Sequence, residues 1–463
     1  MTTSIRSPDQ VDLRPPLFAR LLPIVLMGYV FLDRGFAWLH IPGIPLYPSE
    51  VVLIVGLTFS IRGMVRWTGW RLNVVPLLVA FAGWGLIRTI PNLFGDVEAT
   101  LRDAASWIYI LLVFAIFEVL MRRAEILPTW LQSYRRLLLP IVILPPIAVL
   151  LSELVEGVAI PDSDVSIFSY KPGNAAVHVF LALAFLWTVW RPDRLREVRW
   201  RISMTGAAAA GILVVSTQGR GGLVAVMVGG AVLFMLASHR SQLMRAVAGS
   251  LLVVAVAVVV IDPTLSAGGR EFSAGQFTDN LSSIVTGEGE GELGGNVDWR
   301  LYHWSEVWDG VNRDVPFTGH GFGVNIAELY EIPQADIGLR NAHNSHLTVL
   351  ARMGWVGMGL WLAIWLFWFL ETIRAARRLR ATGLDRLAGL ATWAVIGVTA
   401  IHVNAIFDPT LEGPQVALWL WTFTALGVYV TVCSWLERRG SGSASAVSRI
   451  NERIDRALQS GSR

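Results

Sequence analysis

Twelve long apolar runs, separated by polar or arginine-containing segments, dominate the 463-residue sequence. Crossing about 30 Å of hydrocarbon takes roughly 20 helical residues, and backbone polar groups in lipid must be satisfied within the helix. Charged residues are only 16% of the chain, against roughly 25% in an average soluble protein. The sequence therefore predicts an all-α polytopic membrane protein with about twelve transmembrane helices, over residues 18–36, 47–62, 74–90, 103–121, 137–156, 174–190, 202–217, 222–238, 246–262, 346–370, 387–407 and 416–436.

Arginines collect on alternate connections between these runs, as the positive-inside rule requires of cytoplasmic loops. Both termini are then expected in the cytoplasm of a bacterial cell, with the chain in its inner membrane and the longest connection in the periplasm. The predicted divisions are transmembrane helices 1–9 over 1–261, the large periplasmic loop over 262–345, helices 10–12 over 346–436, and a polar cytoplasmic tail over 437–463.

The charge balance and the single cysteine exclude several classes of protein. The formal net charge is only +3 and Lys171 is the sole lysine, which gives no support to nucleic-acid binding. Cys433 has no cysteine partner within the chain, so neither an intrachain disulfide nor a multi-cysteine metal site can form. The first apolar run lacks a small-residue cleavage site, and we expect it to be retained as a span.

The large loop changes character along its length. Residues 266–298 are rich in glycine and glutamate, which predicts a mobile or partly disordered segment. From Trp299 to Leu329, aromatics at helical spacing and the segment PFTGHGFG predict a short amphipathic helix followed by a structured turn.

Three segments on the predicted outer side contain residues suited to chemistry. In the tight turn STQGRGG, Arg220 could bind phosphate oxygens bidentately, with the flanking glycines admitting a ligand, or it could be an interfacial arginine. In the aromatic segment, Arg300 could hold a second phosphate, or could pair with Asp298 or Glu306 on the surface. His320, between two glycines, is expected to be structural.

The third segment, NAHNSHLTVLARMGWVG, places His343 and His346 where the chain re-enters the membrane. Two histidines at i and i+3 could bind zinc, but no third ligand accompanies them, so no metal is predicted. A histidine near arginines could instead be an acid or base that activates a hydroxyl near neutral pH. The alternative is a hydrogen-bonded structural histidine.

This third segment fits a known pattern of histidine, then Asn, Ser or Gln, nine residues, Gly, two residues, and Gly, Thr or Tyr, filled here by His343, Asn344, Gly354 and Gly357. The chain thereby resembles the O-antigen ligase and O-antigen polymerase superfamily over roughly residues 170–410. TQGRG is similar to that family's Ser-x-Ser-Arg-Gly turn, although Gly219 stands where the family usually has serine. Arg300 with Trp304, followed by PFTGHGFG, is similar to its Arg-x-x-x-Trp helix and Pro-x-x-Gly-x-Gly turn.

The resemblance implies a GT-C-like membrane glycosyltransferase without metal, nucleotide or other cofactor. Its donor would be a glycan on undecaprenyl diphosphate, and its acceptor a glycolipid or a second lipid-linked repeat on the periplasmic face. Arg220 and Arg300 would stabilise the diphosphate leaving group, and His343 would orient or deprotonate the acceptor hydroxyl. The residues expected to contact substrate besides the two arginines are Asn344, His346, Trp304 and Tyr302.

Other functions are compatible with the same sequence features. A ligase and a polymerase use the same donor chemistry, and the histidine motif favours a ligase; a chain-length regulator is a possible partner. A twelve-span transporter or lipid flippase would need ionisable groups near the bilayer midplane, but the predicted midplanes are almost free of charge. Arg352 and His402 are the main candidates for buried polar groups, and Arg352 is close enough to the outer face to belong to the proposed site. A purely structural subunit is the third possibility.

Overall fold

A computed structural model describes most of the chain. The residues described are 15–37, 39, 46–60, 68–151, 169–190, 192, 194–237, 240–261, 265–267, 270–272, 292–332 and 340–460. Most of the segment expected to be mobile, 273–291, lies outside these residues, so that expectation stays a prediction.

Helices make up nearly all of the described part, which confirms the all-α polytopic fold. In chain order they are α1 (Leu17–Leu32), α2 (Arg34–Ala37), α3 (Pro48–Ser60), α4 (Val74–Thr89), α5 (Val97–Ile108), α6 (Leu111–Arg122), α7 (Ile126–Arg136), α8 (Leu138–Leu150), α9 (Pro172–Thr188), α10 (Leu195–Gln218), α11 (Arg220–Leu236), α12 (Arg240–Ile261), α13 (Glu292–Asp314), α14 (Ile326–Leu329), α15 (Ser345–Ala381), α16 (Asp385–Phe407), α17 (Pro414–Glu437) and α18 (Ser441–Gln459). Short 3-10 helices cover Thr68–Arg71 and Ile90–Asn92.

Two short strands within the large loop were not predicted. β1 (Leu265–Ala267) pairs antiparallel with β2 (Arg270–Phe272), directly after α12. The predicted aromatic helix of the loop is α13, which begins at Glu292, seven residues before Trp299.

Within the described residues, five helices are long and apolar enough to cross a membrane, or seven if two bent helix pairs are each counted as one span. Four shorter apolar helices, α1, α3, α9 and α11, have 13 to 17 residues. The number twelve and the four predicted divisions of the chain therefore stay predictions.

The core lies around the hairpin of α16 and α17. All of the 18-residue apolar stretch of α17 is buried inside the protein, compared with 39% of that of α15. α16 packs against α9, α11 and α15, while α17 packs against α1, α6 and α15. A helix surrounded by other helices is apolar on every face, which explains why α17 has no polar stripe.

The alternation of these helices separates two ends of the bundle. The site end holds the starts of α9, α11, α15 and α17 and the ends of α1, α10 and α16, and is defined by Lys171, Arg220, His343 and Asp408. The arginine-rich end holds the opposite termini and the clusters 122–136, 194–201, 374–380 and 438–439.

Candidate active site

The turn that carries Arg220 is packed tightly against two other helix termini. A Cβ at Gly222 would lie 2.9 Å from Gly173 Cα at the start of α9, and one at Gly221 would lie 2.7 Å from Phe407 Cβ at the end of α16. The two glycines thus allow these helix termini to pack closely at the turn, and the predicted role in admitting a ligand stays a prediction. Arg220 is half-buried and begins α11 immediately after this turn.

His343 and Asn344 form the entry to α15 and have different tasks. His343 adopts φ +51°, an uncommon left-handed conformation for a non-glycine residue, and its backbone N–H donates to Asn341 Oδ1 at 3.0 Å. Asn344 is the N-cap, since its Oδ1 accepts from the N–H groups of His346 and Leu347 at 3.0 and 3.1 Å. The asparagine of the motif therefore fixes the helix start, which places the histidine beside it.

Asp408, which follows Phe407, links the predicted residues electrostatically. Its Oδ1 accepts from Lys171 Nζ at 2.6 Å, and both side chains are 20% exposed. Burial lowers the pKa of His343 below its ordinary value, an effect that Asp408 opposes and that Lys171 and Arg300 reinforce. Burial also lowers the pKa of Arg300, again opposed by Asp408. Arg300 and His343 are therefore within electrostatic reach of one carboxylate.

An aromatic residue of α13, Trp299, packs beside His343. The ring of Trp299 contacts His343 and His303 edge-on, with centroid separations of 5.6 and 5.4 Å. Burial, and secondarily the charge of His343, lowers the pKa of His303 to about 4, so this histidine is neutral at physiological pH. Arg300 Nε and His343 Nδ1 are both buried without a hydrogen-bond partner among the described residues.

The aromatic residues predicted to bind sugar rings have different surroundings. Tyr302 is 51% exposed, whereas Trp304 is half-buried and packs on the apolar cluster formed by α13 with the start of α15. Trp308 is exposed and contacts Trp355 edge-on at 5.5 Å. Of the two predicted contacts, only Tyr302 presents most of its ring to solvent.

His346 lies inside the bundle. Its Nδ1 accepts from Trp361 Nε1 at 3.1 Å, and its Nε2 donates to the His402 carbonyl at 3.0 Å. The ring also stacks on that of His402, with centroids 5.3 Å apart. Both nitrogens are thus occupied, and the geometry favours a packing role over the substrate contact predicted from the sequence.

The PFTGHGFG turn docks onto a break in α15. Gly354 adopts φ +63° and ψ −169°, which interrupts the helix and frees carbonyls in its preceding turn. The N–H of His320 donates to the Ala351 carbonyl at 2.8 Å, and that of Gly321 to the Arg352 carbonyl at 2.9 Å. The glycine of the histidine motif and the glycines of the turn therefore form one structural unit.

An ion-pair network that the sequence did not reveal holds this unit. Arg352 is 1% exposed and pairs with Asp103 at 2.9 Å, while its Nη1 donates to the Gly321 and Val324 carbonyls at 3.3 and 3.2 Å. Arg340 lies 3.6 Å from the same carboxylate. Arg352 thus holds the PFTGHGFG turn in place, with its charge paired to Asp103.

Lys171 and Asp408 are the residues that sequence reasoning undervalued. Being the only lysine was a usable signal for Lys171, but nothing local pairs residues 237 positions apart. No cluster of three or more His, Cys, Asp or Glu side chains placed to hold a metal was found in the part of the chain that the structure describes. Metal independence stays a prediction.

Comparison with known proteins matches the part of the chain that carries Arg220, Arg300 and His343. Residues 205–362, about a third of the chain, match the family model described as O-antigen ligase. This match supports the resemblance to the O-antigen ligase and polymerase superfamily that the histidine motif indicated. Together with the long apolar helices, it indicates a multi-pass membrane protein. No curated protein matches the chain.

The capping role of Asn344 leads to a prediction that separates structure from chemistry. Asn344→Ala should lower the free energy of unfolding by about 1 kcal/mol, since an N-cap is lost, whereas Asn344→Asp should keep the cap and the activity. Thermal unfolding in detergent and transfer assays on both variants would test this. An Asn344→Asp protein that is fully stable but inactive would show that the amide itself contacts substrate.

Proposed function

We propose that this protein transfers a glycan from undecaprenyl diphosphate to an acceptor hydroxyl, with its site end facing the periplasm. The observation that carries the proposal is the convergence of Arg300, His343 and the Lys171–Asp408 pair beside the turn of Arg220. The arginine-rich end at the other side of the bundle would face the cytoplasm.

The transfer would be a direct displacement at the anomeric carbon. The acceptor oxygen forms a bond to that carbon, its proton passes to the imidazole of His343, and the bond to the diphosphate oxygen breaks with its electron pair. Arg220 and Arg300 would stabilise the charge that builds on the diphosphate, and the starts of α9, α11, α15 and α17 add the positive ends of four helix dipoles. Inversion at the anomeric carbon is expected.

A host lacking its own enzyme provides the test of this function. Wild type should restore surface glycan, and Arg300→Ala should lower transfer about 100-fold and accumulate lipid-linked donor, because stabilisation of the leaving group is lost. Arg300→Lys keeps the charge without the bidentate geometry, so its rate of transfer should lie between those of wild type and Arg300→Ala. Equal glycan from all variants at matched membrane levels would contradict the proposal.

A polymerase is the second candidate, because a polymerase would use the same lipid-linked donor as a ligase. The product distinguishes the two: a single shift of the acceptor indicates a ligase, and a ladder indicates a polymerase. We favour the ligase because the family description is that of a ligase.

The charges around His343 predict opposite pH effects of two substitutions. The neutral imidazole is the base, so the rate should rise with pH through the pKa of His343 and then level off. Asp408→Asn removes the anion that favours the imidazolium and should move this rise to lower pH, whereas Lys171→Met removes a cation that disfavours it and should move the rise to higher pH. Initial rates across pH would measure both. Shifts in the same direction would contradict the assignment.

A further inference from the structure

A large apolar cavity runs along α1, from Pro15 at the arginine-rich end of the bundle to Phe31 near the other end of the helix. Its volume is about 720 Å³, within the range of sites that hold sizeable ligands. α1, α7, α16 and α17 supply its walls, and Leu22, Leu26, Leu127, Trp393 and Trp419 are among its lining residues.

The charged part of the cavity lies away from the candidate active site. Its charged lining residues are Arg20, Arg123 and Glu125, all at the arginine-rich end of the bundle. At the other end of α1, Asp33 accepts a hydrogen bond from the backbone N–H of Lys171, the partner of Asp408. The 16 residues of α1 span about 24 Å, so these charged residues and the active site are on opposite sides of the bundle.

Basic side chains line one end of the cavity. Arg20, Arg123 and Glu125 line the cavity itself, and a neighbouring cavity of about 390 Å³ is lined by Glu125, Pro128, Arg453 and Arg456. Four arginines and one glutamate are therefore among the lining residues of the two cavities, which share Glu125. Ile24 of α1 lines the larger cavity and is 63% exposed.

We propose that this cavity binds one anionic glycerophospholipid, with an acyl chain inside and its phosphate against the arginines. An apolar space that runs along a membrane helix suits a hydrocarbon chain, and arginine forks suit phosphate oxygens. A zwitterionic lipid carries a compensating ammonium group and would gain less from the excess of arginines. The site is independent of the proposed glycan transfer.

The test is lipid binding by the delipidated full-length protein in detergent, titrated with phosphatidylglycerol or phosphatidylcholine of the same chain length and followed by native mass spectrometry. Phosphatidylglycerol should bind about tenfold more tightly, and Arg20→Ala with Arg123→Ala should remove that preference. The matched control, Arg377→Ala with Arg378→Ala, removes two exposed arginines from the same end of the bundle but away from the cavity.

A second variant tests the acyl chain. Thr129 is an exposed lining residue, so Thr129→Trp should fill part of the cavity and weaken both lipids, with folding checked by thermal unfolding. Equal losses in the control pair, or unchanged binding by Thr129→Trp, would overturn the proposal. The proposal would also be overturned if the protein retained a polyprenyl phosphate in preference to phosphatidylglycerol. The same holds if lipid bound only after residues 1–13 were removed.

Discussion

Replacing His343 by asparagine is expected to lower glycan transfer by about 100- to 10,000-fold, the usual contribution of a positioned acid or base. Asparagine is the informative replacement because His343 has φ +51°, a conformation that asparagine tolerates better than alanine does. The variant therefore removes the imidazole while keeping the backbone before α15. Without the imidazole, the proposed acceptor of the hydroxyl proton is lost.

The measurement is the initial rate with a purified lipid-linked donor, alongside the thermal unfolding midpoint. His320→Gln is the matched control: His320 also lies at the site end, but its Nε2 is engaged by the Tyr330 hydroxyl at 2.6 Å. We expect the rate of this control to stay within about threefold of wild type. Its free energy of unfolding should fall by about 1 kcal/mol, because the hydrogen bond to Tyr330 is lost. A His343→Asn protein with wild-type turnover would exclude the acid–base role.

Replacing Gly354 by alanine should destabilise the protein by about 2–5 kcal/mol, adding a left-handed backbone penalty to overpacking. Its Cβ would lie 2.3 Å from the Phe317 carbonyl carbon and 2.4 Å from the oxygen, and neither backbone atom can move aside cheaply. The docked turn would be displaced from α15. Activity should fall too, since the same helix begins beside His343.

Alanine variants of two other glycines distinguish the left-handed backbone penalty from overpacking. The free energy of unfolding of each variant would be measured in mixed micelles. Gly383 has φ +76° with open space around it, so its alanine variant should cost only the backbone penalty of about 1–2 kcal/mol. Gly359 is helical and equally unobstructed, and alanine there should be neutral or stabilising. If Gly354→Ala behaves like Gly359→Ala, the break in α15 is not required.

Sequence patterns predicted the helical fold, the candidate residues Arg300 and His343, and the aromatic helix of the loop. They did so because hydrophobic run length and short motifs are local properties of the chain. The same patterns did not reveal the close packing of the glycines around Arg220 or the hydrogen bonds that engage both ring nitrogens of His346. Both features depend on neighbours distant in sequence: Gly173 and Phe407 in the first case, Trp361 and His402 in the second.

The sequence by itself determined that the solvent of this chain is lipid, and that basic charge collects on alternate connections, because these follow from composition and order alone. Only the tertiary structure decided which polar groups meet. Lys171 pairs with Asp408 across 237 residues of sequence, and Arg352 pairs with Asp103 across 249 residues. Helix packing brings these distant segments together. A buried charge is stable only beside a partner, and the identity of that partner is set by packing geometry.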